Sequence, residues 1–406
     1  MRRVFCLIRQ ENIYFPTSGL KMEFKEQLIY LDNNATTPID KRVLDAMLPF
    51  LTHNFANASS THHFGIAANE AVKNARVQAA DLICAEENEI IFTSGSTEAI
   101  NMALKGAAEN YSARGKHIVT VSTEHHATLR TCKHLESKGY EVTCLTVQRD
   151  GLIDLTELKN SLRGDTILVC VMYVNNETGV IQPIKEIASL AHEAGALFMT
   201  DATQAAGKIE IDADALGIDL LCMSGHKMYA PKGIGALYVR QRIRRVKLPA
   251  YTHGGGQEQG LRSGTLNVPG IVALGKACEI SLQEMKQESE KISALRNELE
   301  NELLKIPGAY VNGNREKRIF NVSNICFPDT DAAVLIGRMK NVAVSNGSAC
   351  TAAVVEPSHV LKAMGLSDDD AFASIRFSWG KFNAENEVKA VAKIILELTQ
   401  PNFRYA

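Results

Sequence analysis

Residues 219–239 read DLLCMSGHKMYAPKGIGALYV, and this stretch decides the fold class. Two apolar runs, at 219–224 and 235–239, have the composition of buried β-strands, and a polar turn containing Lys227 separates them. A lysine directly after a buried strand has a desolvated ammonium group, which lowers its pKa and favours Schiff-base chemistry. The alternative, for this stretch alone, is a lysine exposed on a surface loop.

The same alternation of apolar runs and helical periodicity extends from about residue 31 to residue 235. The other apolar runs lie at 89–92, 117–121, 166–174 and 197–200, and helix-period segments lie at 69–85, 98–110 and 184–194. Nearly continuous apolar strands separated by helices are typical of a mostly parallel sheet covered on both faces. The sequence therefore predicts an α/β fold whose ligands bind outside the carboxyl ends of the strands.

The pattern changes after the glycine-rich stretch at 254–256. A long helical pattern runs from about 271 to 305, and short strands and helices follow it as a smaller α+β unit. We therefore predict an N-terminal extension at 1–28, a large domain at 29–268 and a small C-terminal domain at 269–406. Met22 could open the folded part, so we expect the extension to be dispensable, with an organellar transit peptide as the alternative.

Composition excludes several classes of protein. The 406 residues contain 44 Lys and Arg against 46 Asp and Glu, a balance without the basic footprint of a nucleic-acid or anionic-membrane protein. The longest plainly apolar run, 167–174, is too short to span a membrane. Nine cysteines without a CxxC or zinc spacing indicate free thiols in a reducing compartment, so we expect a cytoplasmic protein. Cys350 differs from the others because small polar residues surround it.

Polar residues follow two further predicted strands. Strand 89–92 runs into Ser96 and Thr97 at the start of a helix, where free N–H groups and hydroxyls form an anion site. Asp201 follows strand 197–200. Taken singly, these residues could be an ordinary helix cap and a turn cap. Together with Lys227 they predict pyridoxal phosphate, with its phosphate at the helix start, its ring nitrogen on the aspartate and its aldehyde on the lysine.

On these and further motifs the chain resembles the cysteine desulfurases of the NifS/IscS group, which are fold-type I pyridoxal-phosphate enzymes of the class V aminotransferase family. The resemblance covers about residues 30–382, and its motifs are TSGSTEAINMA, TEHH, VNNETGVIQP, DATQAAGK, SGHKMYAPKGIGALYV, HGGGQEQGLRSGT, SNGSACTAAVVEPSHVL and SIRFSWG. It implies a sulfurtransferase that converts L-cysteine and an acceptor thiol to L-alanine and a persulfide.

The resemblance also implies how the cofactor is held. Lys227 forms the Schiff base, Asp201 binds the pyridine nitrogen, and His125 stacks on the ring and moves protons. Asn176 and Gln204 hydrogen-bond the ring hydroxyl region. The implied phosphate ligands are Ser96, Thr97, Ser224 and His226, together with Thr265 from the neighbouring subunit of a homodimer.

For the substrate, the resemblance implies that Arg376 binds the carboxylate, that Asn34 and Asn176 also bind the substrate, and that Cys350 accepts the sulfur. We expect no metal site of the protein's own, although Cys350 would serve as a transient ligand to iron–sulfur cargo. An iron–sulfur scaffold, a tRNA thiolation enzyme or another thio-cofactor pathway would each fit as the sulfur recipient. The short C-terminus is expected to lack the longer tail with which IscS-type members bind a scaffold.

Two alternatives remain at the level of sequence. One is another lyase or aminotransferase of the same fold, including a selenocysteine lyase. The other is a non-catalytic scaffold for sulfur-transfer partners, which the joint presence of Lys227, Asp201, Arg376 and Cys350 disfavours. Trp379 stands where relatives have a smaller apolar residue, and we expect it to reshape the pocket edge near Arg376.

Overall fold

The computed structural model describes residues 28–347 and 356–399. The strands, in chain order, are β1 (Ile29–Tyr30), β2 (Ile90–Thr93), β3 (His117–Val121), β4 (Glu141–Leu145), β5 (Thr166–Cys170), β6 (Leu197–Asp201), β7 (Leu220–Ser224), β8 (Gly235–Val239), β9 (Tyr310–Val311), β10 (Val322–Cys326), β11 (Val342–Ala343) and β12 (Ser374–Ser378). The α-helices are α1 (Lys41–Thr52), α2 (His63–Asp81), α3 (Ser96–Tyr111), α4 (His126–Glu136), α5 (Leu155–Ser161), α6 (Ile184–Glu193), α7 (Val268–Leu303), α8 (Ala332–Arg338), α9 (His359–Ala363), α10 (Asp368–Phe372) and α11 (Glu385–Leu398).

A seven-stranded sheet forms the centre of the larger part of the molecule. Its order is β2-β8-β7-β6-β5-β3-β4, and β8 runs antiparallel to both of its neighbours while the other pairs are parallel. Successive residues of β7 face opposite sides of the sheet. Leu220 packs with α3 and α4, whereas Leu221 packs with α2, α6 and α7. The predicted α/β fold with a mostly parallel sheet covered on both faces is confirmed.

The six apolar runs singled out in the sequence all form strands of this sheet. The strand that the sequence did not predict is β4, which pairs with β3 at the sheet edge. Four of its five residues are exposed or only partly buried, so it lacks the apolar run that identifies the central strands.

The long helix α7 belongs to two cores. Asn267 caps its N-terminus by accepting a hydrogen bond from the amide of Gly270. Its first half, from Val268 to Met285, packs into the core of the large sheet, whereas Ile292 to Leu303 pack into a second core. The predicted boundary at residue 268 thus coincides with the first residue of a helix that both parts share.

The second core surrounds a small antiparallel sheet of order β12-β10-β9. Ile29 and Leu31 are buried in this core, and β1 pairs in parallel with β11 of the C-terminal part. The first residues of the predicted large domain therefore contact the small C-terminal domain. Residues 1–27 of the predicted N-terminal extension lie outside the described residues. Across 28–347 and 356–399, no helix has the length and apolar character needed to span a membrane.

Candidate active site

A cavity of 640 Å³ opens at the carboxyl ends of the central strands. Its walls come from both parts of the molecule, because Asp201 ends β6 and Lys227 follows β7, whereas Arg376 lies on β12. Of the predicted residues, those that line the cavity are Asn34, Ser96, Thr97, His125, Asn176, Asp201, Gln204, Ser224, His226, Lys227 and Arg376. Side chains separated by more than 300 residues of sequence thus meet at the edge of the sheet where the fold predicts a ligand.

Lys227 lies in a single turn of 3₁₀-helix directly after β7. Its Nζ donates hydrogen bonds to the carbonyl oxygen of Asn34 at 2.5 Å and to that of Ala35 at 2.7 Å. Both acceptors belong to the backbone segment that follows β1. Two backbone carbonyl groups, together with the location of the residue directly after β7, therefore fix the position of the Lys227 amine.

Asp201 is the last residue of β6 and is buried. The backbone N–H of Thr203 donates to its Oδ1 at 2.9 Å, and the Thr203 hydroxyl donates to the same oxygen. Both bonds use Oδ1, and no side chain or amide of residues 28–347 and 356–399 is hydrogen-bonded to Oδ2. A carboxylate fixed by one oxygen suits the protonated nitrogen of a pyridine ring as partner for the other.

The predicted anion site is the N-terminus of α3. Among the described residues no side chain caps this helix, and Gly95, at φ 151°, turns the chain from β2 into its first residue. The uncapped amides and the positive end of the helix dipole therefore face the cavity. The hydroxyl of Ser96 lies 2.5 Å from that of Thr203, which links the anion site to the carboxylate of Asp201.

His226 closes the same region from the side of β7. Its Nδ1 lies 3.2 Å from the Thr36 hydroxyl. Burial, reinforced by the charge of Lys227, lowers the pKa of His226 to about 4. The ring is therefore neutral at physiological pH, and it would serve a phosphate as an N–H donor rather than as a cation.

His125 is the N-cap of α4. Its Nδ1 accepts the backbone N–H of Ala127 at 3.1 Å, so the neutral ring carries its proton on Nε2. Burial lowers the pKa of His125, while the charge of Asp201 opposes the shift. A neutral imidazole with one fixed tautomer can lie against an aromatic ring and transfer a proton through Nε2.

Arg376 is buried on β12 with part of its guanidinium engaged. Nη1 donates to the Asn176 carbonyl at 3.0 Å, and Nη2 donates to Asp32 at 2.7 Å. Within the described residues, Nε is buried and has no hydrogen-bond partner. Because Arg376 lines the cavity, this donor is available to a ligand bound there. The fork of Arg376 is suited to a carboxylate.

Asn34 joins the two halves of the site. Its side chain donates to the Asn176 carbonyl at 3.1 Å and accepts from Asn321 at 3.0 Å. Gln204 donates to the Asn34 carbonyl at 2.9 Å. Asn34 is thus a structural junction beside the cavity, and its side-chain bonds are directed at protein groups.

Thr265 is exposed and is absent from the cavity lining. Cys350 lies outside the described residues, whereas Ser345, Gly347 and Glu356 on either side of that segment line the cavity. Trp379 is 1% exposed and packs in the second core, so the expectation that it reshapes the pocket edge is wrong.

The sequence analysis missed several residues at or behind the cavity. Thr203 bonds both Ser96 and Asp201, and Glu177 accepts the hydroxyl of Ser358 at 2.5 Å. Lys208 lies behind Gln204. Glu177 falls inside the motif VNNETGVIQP, among polar neighbours that give no signal of burial. Lys208 ends the motif DATQAAGK and follows three small residues, and a charged residue in such surroundings is a signal of burial that could have identified it.

The arrangement of these residues fits the phosphate, the ring nitrogen and the aldehyde of pyridoxal phosphate. An uncapped helix start with hydroxyl donors suits the phosphate, the buried carboxylate suits the ring nitrogen, and a strand-end lysine suits the aldehyde. Fold and cavity therefore define an α/β enzyme that uses this cofactor.

Comparison with known proteins defines the family. Residues 29–391 match the family described as aminotransferase class-V, and the chain belongs to the cysteine desulfurase group of that family. It is 50% identical over 370 residues to cysteine desulfurase IscS of Escherichia coli strain K12 / DH10B, covering 90% of this chain and 91% of the relative.

Solved structures agree with this assignment. A NifS-like protein has a TM-score of 0.86 at 37% identity, covering 92% of this chain and 99% of that one. SspA in complex with cysteine has a TM-score of 0.77 at 38% identity, covering 88% of this chain and 100% of that one. A NifS-like protein from Rickettsia africae ESF-5 has a TM-score of 0.82 at 30% identity, covering 92% and 99%.

Proposed function

We propose that the protein is a pyridoxal-phosphate-dependent cysteine desulfurase that moves the sulfur of L-cysteine onto its own Cys350. The observation that carries the proposal is the meeting of Lys227, Asp201 and Arg376 in one cavity whose rim residues flank the segment that contains Cys350. The relatives named as a cysteine desulfurase and as a complex with cysteine support the substrate.

Each residue of the cavity has a separate role in the proposed reaction. Pyridoxal phosphate, when bound, supplies an electron sink for negative charge at the Cα of an amino acid. Asp201 keeps the ring nitrogen protonated, and Lys227 holds the cofactor and moves protons at Cα. Arg376 binds the substrate carboxylate through its planar fork. His125 donates or accepts a proton through Nε2.

Cys350 provides the nucleophile for the sulfur. Its thiolate attacks Sγ of the substrate, which forms the S–S bond and breaks the Cβ–Sγ bond. The electron pair of the broken bond stays on Cβ, and protonation of Cβ gives the methyl group of alanine. In sum, one thiol and L-cysteine give one persulfide and L-alanine, without an external oxidant or reductant. The persulfide then passes to an acceptor protein, such as an iron–sulfur scaffold, and the enzyme acts in the cytoplasm.

The enzyme is proposed to act as a homodimer with shared sites. Thr265 is exposed, as expected of a residue that serves the phosphate of a neighbouring subunit. An apolar patch lies on α1, α2 and the loop between them, where five side chains are at least 42% exposed: Leu44, Leu48, Leu51, Phe55 and Phe64. Exposed apolar side chains in such number are typical of an interface. A second copy is the occupant that also completes the phosphate site.

The proposal is tested by measuring alanine release from L-cysteine together with the sulfur content of the protein. Wild type should gain one sulfur atom on the peptide containing Cys350 when reductant is absent. Cys350→Ala should keep the yellow cofactor yet release alanine near background. Alanine production by Cys350→Ala at the wild-type rate would mean that sulfur leaves by simple elimination, and the enzyme would then be a lyase.

A further inference from the structure

Lys208 is a buried lysine that the reaction described above does not use. The residue is 9% exposed, and its Nζ donates to Gln204 Oε1 at 2.7 Å. Within residues 28–347 and 356–399 it forms no ion pair with a carboxylate, although buried lysines usually have one. A structural lysine is better placed at the surface, so its burial calls for a specific role.

The amide of Gln204 has only one orientation that satisfies both of its contacts. One end faces the Asn34 carbonyl at 2.9 Å, and a carbonyl oxygen can only accept, so that end is the Nε2 group. The other end must then be Oε1, and it faces Nζ of Lys208. Lysine can donate to it whether the amine is charged or neutral.

We infer that Lys208 is a positioning residue that fixes the Gln204 amide with its N–H side toward the cavity. Gln204 lines the cavity, and Nε2 has a second hydrogen beyond the one given to Asn34. That hydrogen suits the ring oxygen of pyridoxal phosphate, which carries negative charge. With the amide reversed, Gln204 would present Oε1 to the ring oxygen of the cofactor, and the two oxygens would repel each other.

The Asn34 carbonyl oxygen connects Lys208, through Gln204, to Lys227. The Asn34 carbonyl accepts from Gln204 and, at 2.5 Å, from Lys227. Burial, and then the charges of Lys227 and Arg376, lower the pKa of Lys208 to about 7. The chain Lys208–Gln204–Asn34–Lys227 therefore links a buried amine to the catalytic one through fixed hydrogen bonds.

The test is cofactor binding by the apoprotein of Lys208→Met, a variant of similar length without a donor. This inference rests on pyridoxal phosphate binding in the proposed site. We expect about tenfold weaker binding of pyridoxal phosphate, the effect of losing one well-placed hydrogen bond to a charged group. The pH midpoint of the visible absorbance band of the bound cofactor should shift by about 0.5–1 unit, because the charge on the ring oxygen is less stabilised. Neither readout depends on activity.

A double-mutant cycle establishes whether Lys208 acts through Gln204. In the Gln204→Leu background, Lys208→Met should have no further effect on cofactor affinity or on the midpoint. Lys208→Arg, which keeps an N–H donor, should restore part of both. Lys159→Met, at an exposed lysine of α5, is the matched control and should leave both at wild-type values.

The outcomes separate this role from a merely structural one. Lys208→Met apoprotein should unfold at a urea concentration close to that of wild type, because removal of a buried amine offsets the hydrogen bond that Gln204 Oε1 loses. Loss of stability with unchanged affinity and midpoint would overturn the inference. Failure of wild type itself to bind pyridoxal phosphate would instead overturn the proposed function.

Discussion

At the scale of single residues, Glu124 shows how the site controls charge without contacting a ligand. It is fully buried beside His125, and Oε1 accepts the backbone N–H of Met172. Its Oε2 has no hydrogen-bond partner among the described residues. Burial, reinforced by the negative charge of Asp201, raises the pKa of Glu124 to about 8. Glu124 is therefore a neutral acid at pH 7, and it adds no negative charge beside Asp201.

Glu124→Gln should reveal this protonation through the pH dependence of stability. A folded-state pKa raised from 4.5 to about 8 gives stability that is fully present below pH 4.5 and is lost as pH rises through 8. The glutamine keeps the neutral shape and lacks this loss, so apo Glu124→Gln should gain up to about 4 kcal/mol over wild type between pH 5 and 8. Urea unfolding at pH 5, 6.5 and 8 measures the difference.

The control for this prediction is Glu109→Gln, at an exposed position of α3. Its difference from wild type should be flat over the same pH range. A flat difference for Glu124→Gln as well would mean that Glu124 is ionised in the folded protein and that water or another group satisfies it.

Residue-scale prediction from sequence succeeded where a motif and a strand end coincide. Asp201 and Lys227 were identified because each follows a buried strand, and both line the cavity. Glu124 was missed because its partner, Met172, lies 48 residues away in sequence and no local pattern reports such a partner. Lys208 was missed although its apolar surroundings in DATQAAGK indicate burial.

At the scale of elements, the anion site depends on the close approach of β8 to the turn before α3. A Cβ atom on Gly235 would lie 2.5 Å from the Met223 carbonyl oxygen and 2.7 Å from Cα of Gly95. Backbone atoms cannot move away from such an overlap without displacing the start of the helix. The glycine in β8 is thus required by the helix start at which the anion site is predicted, although it contributes no group to that site.

Gly235→Ala should therefore destabilise the protein by about 2 kcal/mol or more and should weaken cofactor binding together with stability. Thermal unfolding of the apoprotein and titration with pyridoxal phosphate measure the two effects. Gly337→Ala is the matched control, because a Cβ there would meet nothing within 4 Å and α8 should be unchanged or slightly more stable. A neutral Gly235→Ala would show that the strand can shift without cost to the helix start.

Elements differ in how well the sequence predicts them. The central strands β5 to β8 are buried at every position, which produces the apolar runs by which they were recognised. The edge strand β4 and the two-residue strand β1 have no such runs. Both are defined by the neighbours with which they pair, and pairing cannot be read from a local pattern.

At the scale of the whole molecule, the proposed homodimer can be tested by mixing two defective chains. Thr265→Ala should weaken cofactor retention, and Lys227→Ala should abolish alanine release. In a heterodimer, the site with the intact Lys227 receives the intact Thr265 of the other chain, so one site has neither defect. Mixtures refolded together should recover up to about half of the wild-type activity per heterodimer. Mixtures no more active than their components would show that each site is built from one chain.

The pairing of β1 with β11 has a consequence for the order in which the chain is completed on the ribosome. Ile29 pairs with Val342, so the N-terminal strand leaves the ribosome more than 300 residues before its partner exists. At about 10 residues per second that wait lasts roughly half a minute. During this time Ile29 and Leu31, apolar side chains meant for the second core, have nothing to bury them. A chaperone that binds short apolar segments should therefore find a target at residues 29–31 of the nascent chain.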